Sequence, residues 1–511
     1  MKNKKINYLI LTILLVVAVF SRCKESDFNL ADPSAIDASI YYKTPYDAIN
    51  AVNAVYRGIY GCNPASEISL GEDATANNPG DEFDKFTIDP TSAGIAYDWP
   101  GFFGSVYQAN VSLSKIPAID FAGYTGLNTK ESLIAQSTFL RAVAYFNLVK
   151  RYGGVPLITE PLSGALTPEK VQLPRATADA IWAQIEKDLK AAIPDLPTGW
   201  DALNVGRVTK GAAIAYLGRL YMYQKKWADA KTTFESLFAL KNVNKGTNNG
   251  YALLTNFADN FNLSANQKWG SEAIWQVSYT NQIRFANGAN WGGGANQEIG
   301  KFLLWGGPKP NLYAVAQFEA SDTIRFKSSI SGTPTNESSL MMAKYGGADE
   351  AFNNWEGTGK YEGINWHLLR FSDALLMYAE ACNELGGANK AIAITNLNRV
   401  RDRVKAPLYP NYKFIPTATY TPVTGSGNQD DVRNAIKHER LVEFYMEDIH
   451  YWDLMRWNDG VGAFAAANTY ETSKGSTNSI QGWKPNKNEL WPIPTAEYQL
   501  NKNIGVQNPG Y

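Results

Sequence analysis

The stretch "GRVTKGAAIAYLGRLYMYQKKWADAKTTFESL" (Gly206–Leu237) decides the fold class. Leu217, Gly218, Tyr221, Ala230 and Phe234 match the L-G-x2-Y…A-x3-F spacing of a tetratricopeptide repeat. The small residues let two antiparallel helices approach, and the large ones fill the groove between them. A second stretch, "DALLMYAEACNELGGANKAIAITNLNRVR" (Asp373–Arg401), repeats the layout with Ala379 in place of Gly218 and Ala391 in place of Ala230. The two units lie far apart in the chain, so the pattern predicts helical hairpins separated by a large insertion, not a tandem array.

Other helices follow from the same signals. "TPYDAINAVNAVYRGIYG" offers Thr44 as N-cap, Pro45 at the first helical position, and Ile49, Val52, Val55, Tyr56 and Ile59 at helical spacing, with Gly61 as the stop. Residues 61–98 are rich in Gly, Pro, Asn and Asp and read as a long surface loop, after which "GFFGSVYQANVSLSKI" resumes a helix. "ESLIAQSTFLRAVAYFNLVKRYGGVPLI" places Phe139, Leu140, Val143 and Phe146 on one face and ends at Gly153–Gly154. "RATADAIWAQIEKDLKAAIPDLP" starts at Thr177, with Ile181, Ile185 and Leu189 along one face. The insertion, roughly residues 240–365, contains one strand-like segment, "EAIWQVSYT", among Gly/Asn-rich loops that carry aromatics. "DDVRNAIKHERLVEFYME" and "DIHYWDLMRW" read as further helices.

Composition narrows the function. The 511-residue chain has a formal net charge of −1, with 45% hydrophobic and 19% charged residues, which gives no footprint for a nucleic-acid partner. Cys62 and Cys382 are far apart and outside any CxxC pattern, leaving a disulfide and two free thiols as alternatives and supporting neither a metal site nor a redox motif. The three histidines are His367, His438 and His450; His450 near Glu447 and Asp453 lacks the second imidazole that a zinc site favours. No G-x-S-x-G, H-E-x-x-H or P-loop occurs. Arg141, Arg207, Arg370, Arg440 and Arg456, with Glu380, Glu443 and Asp453, sit inside apolar helix patterns. They read as internal ion pairs before they read as acid–base chemistry. The 14 Trp and 28 Tyr exceed what a core alone requires and suit stacking platforms. Trp99, Trp182, Trp227, Trp452 and Trp457 are assigned to packing.

The N-terminus carries a positive segment (Lys2, Lys4, Lys5), then the apolar run "LILTILLVVAVF" (Leu9–Phe20), and then Cys23. The run is shorter than the roughly 20 residues that span a bilayer and has the length of a secretory h-region. A cysteine directly after it predicts a lipoprotein in which residues 1–22 are removed and Cys23 carries acyl chains. Arg22, where lipoproteins of this kind usually have Gly, Ala or Ser, is the one departure.

Six ordered blocks then carry a resemblance: "FLRAVAYFNLVKRYGGVPL" (139–157), "GRVTKGAAIAYLGRLYMY" (206–223), "LLRFSDALLMYAEACNELG" (368–386), "NLNRVRDR" (396–403), "ERLVEFYMEDIHYWDLMRW" (439–457) and the ending "LWPIP…E…QNPGY". The chain resembles the SusD/RagB family of outer-membrane nutrient-binding lipoproteins of the Bacteroidota, and the "CKESD" after the signal looks like that group's export signal. The resemblance implies a mainly α fold, with four tetratricopeptide-like helix pairs as a scaffold and a loop-rich, partly β-containing ligand side. It implies one SusD-like domain over residues 23–511, comprising an N-terminal region to about 235, the insertion, and a C-terminal region from about 366. It implies no enzyme activity and no cofactor or metal. The implied partners are an oligosaccharide or peptide ligand, the outer membrane through the lipid at the cell surface, and a SusC-like TonB-dependent transporter that the protein covers as a lid. The family layout places the ligand site on residues 72–84 and 282–306. The expected contacts are Asp73, Asn77, Asn78, Asp81, Arg284, Asn290, Trp291 and Trp305, with Trp355 a weaker candidate. A pyranose stacks its C–H face on an indole and takes hydrogen bonds from short polar side chains at the rim, which is what these loops offer. Two other readings stand beside this one: a peptide-binding or purely structural lid, and a secreted glycoside hydrolase using a carboxylate pair such as Asp81 and Glu82.

Metabolic labelling with a fatty-acid analogue is expected to mark the wild-type chain and to miss Cys23→Ala; an unlabelled wild type would remove the lipid anchor.

Overall fold

The computed structural model describes residues 41–60, 70–71, 74–75, 81–162, 167–241, 243, 249–261, 268–277, 309–335, 337–344, 365–414, 421–476 and 482–511. Four helical hairpins form its spine: α1 (Pro45–Tyr60) with α2 (Ala93–Lys115), α3 (Lys130–Tyr152) with α4 (Ala178–Ala192), α5 (Lys210–Tyr223) with α6 (Trp227–Phe238), and α9 (Phe371–Leu385) with α10 (Asn389–Arg403). Each packs on the next, α2 against α3, α4 against α5 and α6 against α9, so one apolar core runs the length of the spine. The predicted tetratricopeptide-like scaffold is present, with the insertion between its third and fourth pairs.

The caps are those the sequence supplies. Thr44 Oγ1 accepts the Asp47 N–H at 3.2 Å while Asp47 Oδ2 accepts the Thr44 N–H at 2.8 Å, a reciprocal cap. Thr129, Thr177 and Thr209 accept from Ser132, Ala180 and Ala212 in the same manner. Within the α5–α6 hairpin the Phe234 ring lies against Gly218, where an added Cβ would stand 2.6 Å from it. Glycine is therefore required by the closeness of the helices.

Two expectations are corrected. The helix after the first loop begins at Ala93, eight residues ahead of "GFFG", and carries Pro100 inside it. Buried Trp99 and Phe102 give this segment a packing face, which outweighs the backbone bond that proline forgoes. The helix α11 (Gln429–Glu443) stops four residues short of Glu447. Met446 and Asp448 then adopt left-handed backbone, each with φ of 61°. The resulting turn aims Glu447 inward, at Lys344 and Arg370, before α12 (His450–Trp457) begins.

The insertion holds short elements: β2 (Ala273–Val277), β3 (Lys309–Pro310), α7 (Leu312–Gln317), α8 (Thr323–Ser329), β4 (Ile330–Ser331) and β5 (Met341–Met342). The predicted strand β2 pairs antiparallel with β6 (Trp366–Arg370), which leads directly into α9. A second apolar cluster, including Phe257, Phe318, Leu340 and Tyr445, sits under these elements.

Between the two clusters lies a lattice of buried charges. Glu439, Glu443 and Glu447 are spaced four residues apart. Glu439 receives Arg325 at 2.5 Å and Arg401 at 2.6 Å. Glu443 receives Arg370 at 2.5 Å, Arg325 at 3.3 Å and also Arg403. Glu447 receives Arg370 at 2.8 Å and Lys344 at 2.7 Å. Glu272, beside β2, joins Arg370 at 2.8 Å and Arg403 at 2.9 Å. Burial opposes ionisation of Glu443, and the guanidiniums of Arg403, Arg370 and Arg325 overcome it, holding its carboxyl well below the usual carboxylate range. The expected internal pairs are also found nearer the spine. Arg440 meets Asp453 at 2.7 Å, and Arg456 meets Glu380 at 2.6 Å, while Arg141 takes Asp188 at 2.7 Å. Arg207 bonds to the side-chain oxygens of Asn53, Gln136 and Asn204 rather than to a carboxylate.

Glu443→Gln removes one counter-charge shared by three buried guanidiniums and is expected to lower stability by about 3 kcal/mol, read as the shift of the urea unfolding midpoint.

Candidate functional site

The two expected ligand loops share a base. β1 (Ala74–Thr75) pairs antiparallel with β3, Ala74 opposite Pro310 and Thr75 opposite Lys309. The segment after the first helix and the segment that ends the central loops therefore start side by side, although they are far apart in sequence.

Each side of this ladder is fastened to the scaffold. Asp81 Oδ1 accepts the backbone N–H groups of Phe83 at 2.9 Å and Asp84 at 3.0 Å, a tight aspartate turn. Asp84 Oδ2 accepts the Thr75 hydroxyl at 3.2 Å, which ties this turn back to β1. Phe83 and Phe86 then enter the core, with ring centroids 5.3 Å from Trp491 and 5.1 Å from Phe464. The C-terminal tail closes over this loop at Gly482, whose φ of +130° and lack of a Cβ allow it to lie against the Lys85 carbonyl. On the β3 side, Asn311 caps α7 through the Ala314 N–H at 2.8 Å. The fully buried Glu471, on α13 (Gly460–Ser473), accepts the Tyr313 N–H at 2.5 Å. Burial pushes the Glu471 carboxyl up from its ordinary value.

Of the expected contacts, Asp81 is the one within the described residues, half-buried and with one carboxylate oxygen committed to the turn. Asp73, Asn77, Asn78, Arg284, Asn290, Trp291, Trp305 and Trp355 lie outside the described residues, as do Cys23 and Cys62. Cys382 is a buried free thiol, pushed up to about 11 by burial. Trp99 and Trp452 are buried in the core, and Trp182, Trp227 and Trp457 pack against it half-buried. Among the described residues no cluster of His, Cys, Asp and Glu has the arrangement of a metal site, and no helix is long and apolar enough to cross a membrane. Sequence reading passed over Glu272, Lys344 and Glu471, single charges in irregular or weakly patterned segments. The four-residue spacing of Glu439, Glu443 and Glu447 was the available signal for the lattice that two of them join.

Comparison with known proteins decides the family. The sequence profile described as "SusD family" matches residues 221–511, more than half of the chain, and a second, "Starch-binding associating with outer membrane", matches residues 47–222. The chain belongs to the SusD family. Its relatives include a SusD-like protein of Formosa agariphila, 24% identical over 91% of this chain and 94% of that protein. Another is a SusD-like protein of Bacteroides ovatus, 25% identical over 88% and 82%. Among solved structures, a laminarin-binding SusD-like protein is 26% identical, covers 92% of this chain and 100% of its own, and superposes with a TM-score of 0.69. A SusD homologue from Bacteroides thetaiotaomicron, at 20% identity, shares the fold with a TM-score of 0.73 over 94% of this chain and 100% of its own.

Within this SusD-family scaffold the Asp81 turn separates two roles. Asp81→Asn keeps an acceptor for both N–H groups and is expected to leave the thermal midpoint unchanged. Asp81→Ala removes the acceptor and is expected to cost about 1 kcal/mol by thermal denaturation.

Proposed function

We propose that this SusD-family protein is a cell-surface lipoprotein, held by Cys23, that captures oligosaccharides at loops 72–84 and 282–306 and passes them to a SusC-like TonB-dependent transporter. The observation that carries the reading is the β1–β3 ladder, which gives the two loops a common, rigid base. On this reading Asp73, Asn77, Asn78, Arg284 and Asn290 are the hydrogen-bonding groups and Trp291 and Trp305, both from the second loop, the stacking surfaces. The lattice carboxylates Glu439, Glu443, Glu447 and Glu272 are engaged by arginines and Asp81 by its turn, which supports binding without turnover of the ligand. The laminarin-binding relative makes β-glucan oligosaccharides the first ligands to try.

Isothermal titration of residues 24–511 against laminarin-derived and other plant, fungal and host oligosaccharides is expected to give saturable heat with one class and no products on prolonged incubation. Trp291→Ala and Trp305→Ala should each weaken that binding about tenfold, the equivalent of about 1.4 kcal/mol, with unchanged thermal midpoints. Silence across the panel would move the reading to peptides or to a lid without its own ligand. Loss of thermal stability with binding retained would assign the two tryptophans to loop packing.

A further inference from the structure

Two carboxylates meet where the turn at residues 444–449 packs against the spine. Asp98 comes from α2 and Asp448 from the turn, and both face Lys150 of α3; Arg151 of α3 and Arg219 of α5 also face Asp448. Neither has the close contacts that other carboxylates of this core have. Arg151 Nε stands 3.6 Å from Asp98 Oδ2, beyond hydrogen-bond length. Asp448 Oδ1 is shielded from solvent and has no hydrogen-bond partner among the described residues.

The charges around them are matched. Arg219 and Arg440 share Asp373 at 2.5 and 2.9 Å. Arg440 and Arg456 share Asp453 at 2.7 and 2.8 Å, and Arg456 also holds Glu380 at 2.6 Å. Glu447, the turn's other carboxylate, takes Lys344 at 2.7 Å and Arg370 at 2.8 Å. Lys150 Nζ lies 4.2 Å from the Trp452 ring centroid.

A desolvated carboxylate short of hydrogen bonds is costly to ionise. Burial pushes Asp98 up to about 7 against the pull of Lys150. Burial likewise pushes Asp448 up to about 7, against Lys150 and Arg151, while Asp98 repels it and Arg219 attracts it. The turn that carries Asp448 is a joint between α11 and α12. Met446 and Asp448 hold left-handed backbone there, which non-glycine residues do at a cost, and Glu447 between them reaches into the charge lattice.

We propose that Asp98 and Asp448 form a proton-operated clamp on this joint: with both carboxyls neutral the turn is held on α2 and α3, and ionisation of both weakens that contact. The proposal is independent of the loop site and stands whichever ligand the loops take.

The sign of the effect is fixed by linkage. Unfolded aspartates release their protons near pH 4, by about which point the folded clamp still holds them. Stability from this pair therefore falls as pH rises from about 4 to about 7 and levels off above. An ordinary ion pair with Lys150 or Arg151 would act in the other direction. His367, in the wall of the same cleft, is held below its ordinary range by burial and contributes a slope of opposite sign, common to the chains compared below.

The test is urea unfolding of the full mature chain from about pH 5 to about pH 8, wild type against the double variant Asp98→Asn, Asp448→Asn. Asparagine stands in for the neutral acid and tolerates left-handed backbone. The unfolding equilibrium constant of wild type is expected to rise over this range by at least about tenfold more than that of the double variant, which should be the more stable chain at the upper end. The ¹⁵N-indole signal of Trp452, assigned through Trp452→Phe, should titrate with a midpoint of about 7 in wild type and be flat in the double variant. His450, which begins α12, is the control: His450→Gln should keep that titration. Parallel unfolding profiles, a double variant less stable than wild type at the upper end, or a Trp452 titration lost in His450→Gln would each overturn the proposal. Should the double variant fail to fold, Asp98→Asn alone is read against the same outcomes.

Discussion

Glu443 and the three guanidiniums around it are the constraint on which the rest of the molecule depends. Arg325 comes from the insertion, Arg370 from the strand that enters α9, and Arg403 from the end of α10. One carboxylate on α11 therefore fixes the relative placement of three segments that the apolar cores hold only by shape. Lattices of this kind add little net stability compared with well-packed apolar residues, because each ion gives up its hydration. Their effect is geometric: a guanidinium with several carboxylate partners has one position in which all its donors are satisfied. The insertion is irregular, with strands of two to five residues and helices of one or two turns among its described residues, and it gains a defined seat because Asp322, Arg325, Lys344 and Glu272 are bonded into that lattice.

The scaffold was legible because its signals are local and redundant. Threonine starts in α1 and α4, apolar spacing in α3 and α4, and a glycine opposite a phenylalanine in α5 and α6 all point the same way, and packing agrees with them. The start of α2 was misplaced because proline and glycine in "DWPGFFG" read as a break, whereas the buried faces of Trp99 and Phe102 decide it. The end of α11 was misplaced because nothing local marks it. Glu447 leaves the helix to meet Lys344 and Arg370, partners about a hundred and about eighty residues away.

The candidate loops rest on composition and family layout, and neither announces the base that the structure gives them. A two-residue strand has no periodicity to read, and the pairing of Thr75 with Lys309 is a long-range fact that neither segment announces. Asp81 shows the same limit at one residue. Its sequence context fits a ligand contact and a turn equally well, and the two backbone N–H groups it accepts make the turn a certain role. The charged pairs expected inside the helices fared better, because an arginine and a carboxylate in apolar patterns have few alternatives to each other.

The ladder between β1 and β3 also bears on how such a protein can change. Because both loops begin and end at positions held by the scaffold, the span each must close is constant. Closing a longer loop over a fixed span costs entropy that grows only with the logarithm of its length. Insertions and deletions beyond Thr75 or ahead of Lys309 therefore leave the helical spine untouched, so one inherited framework tolerates the exchange of two stretches of chain.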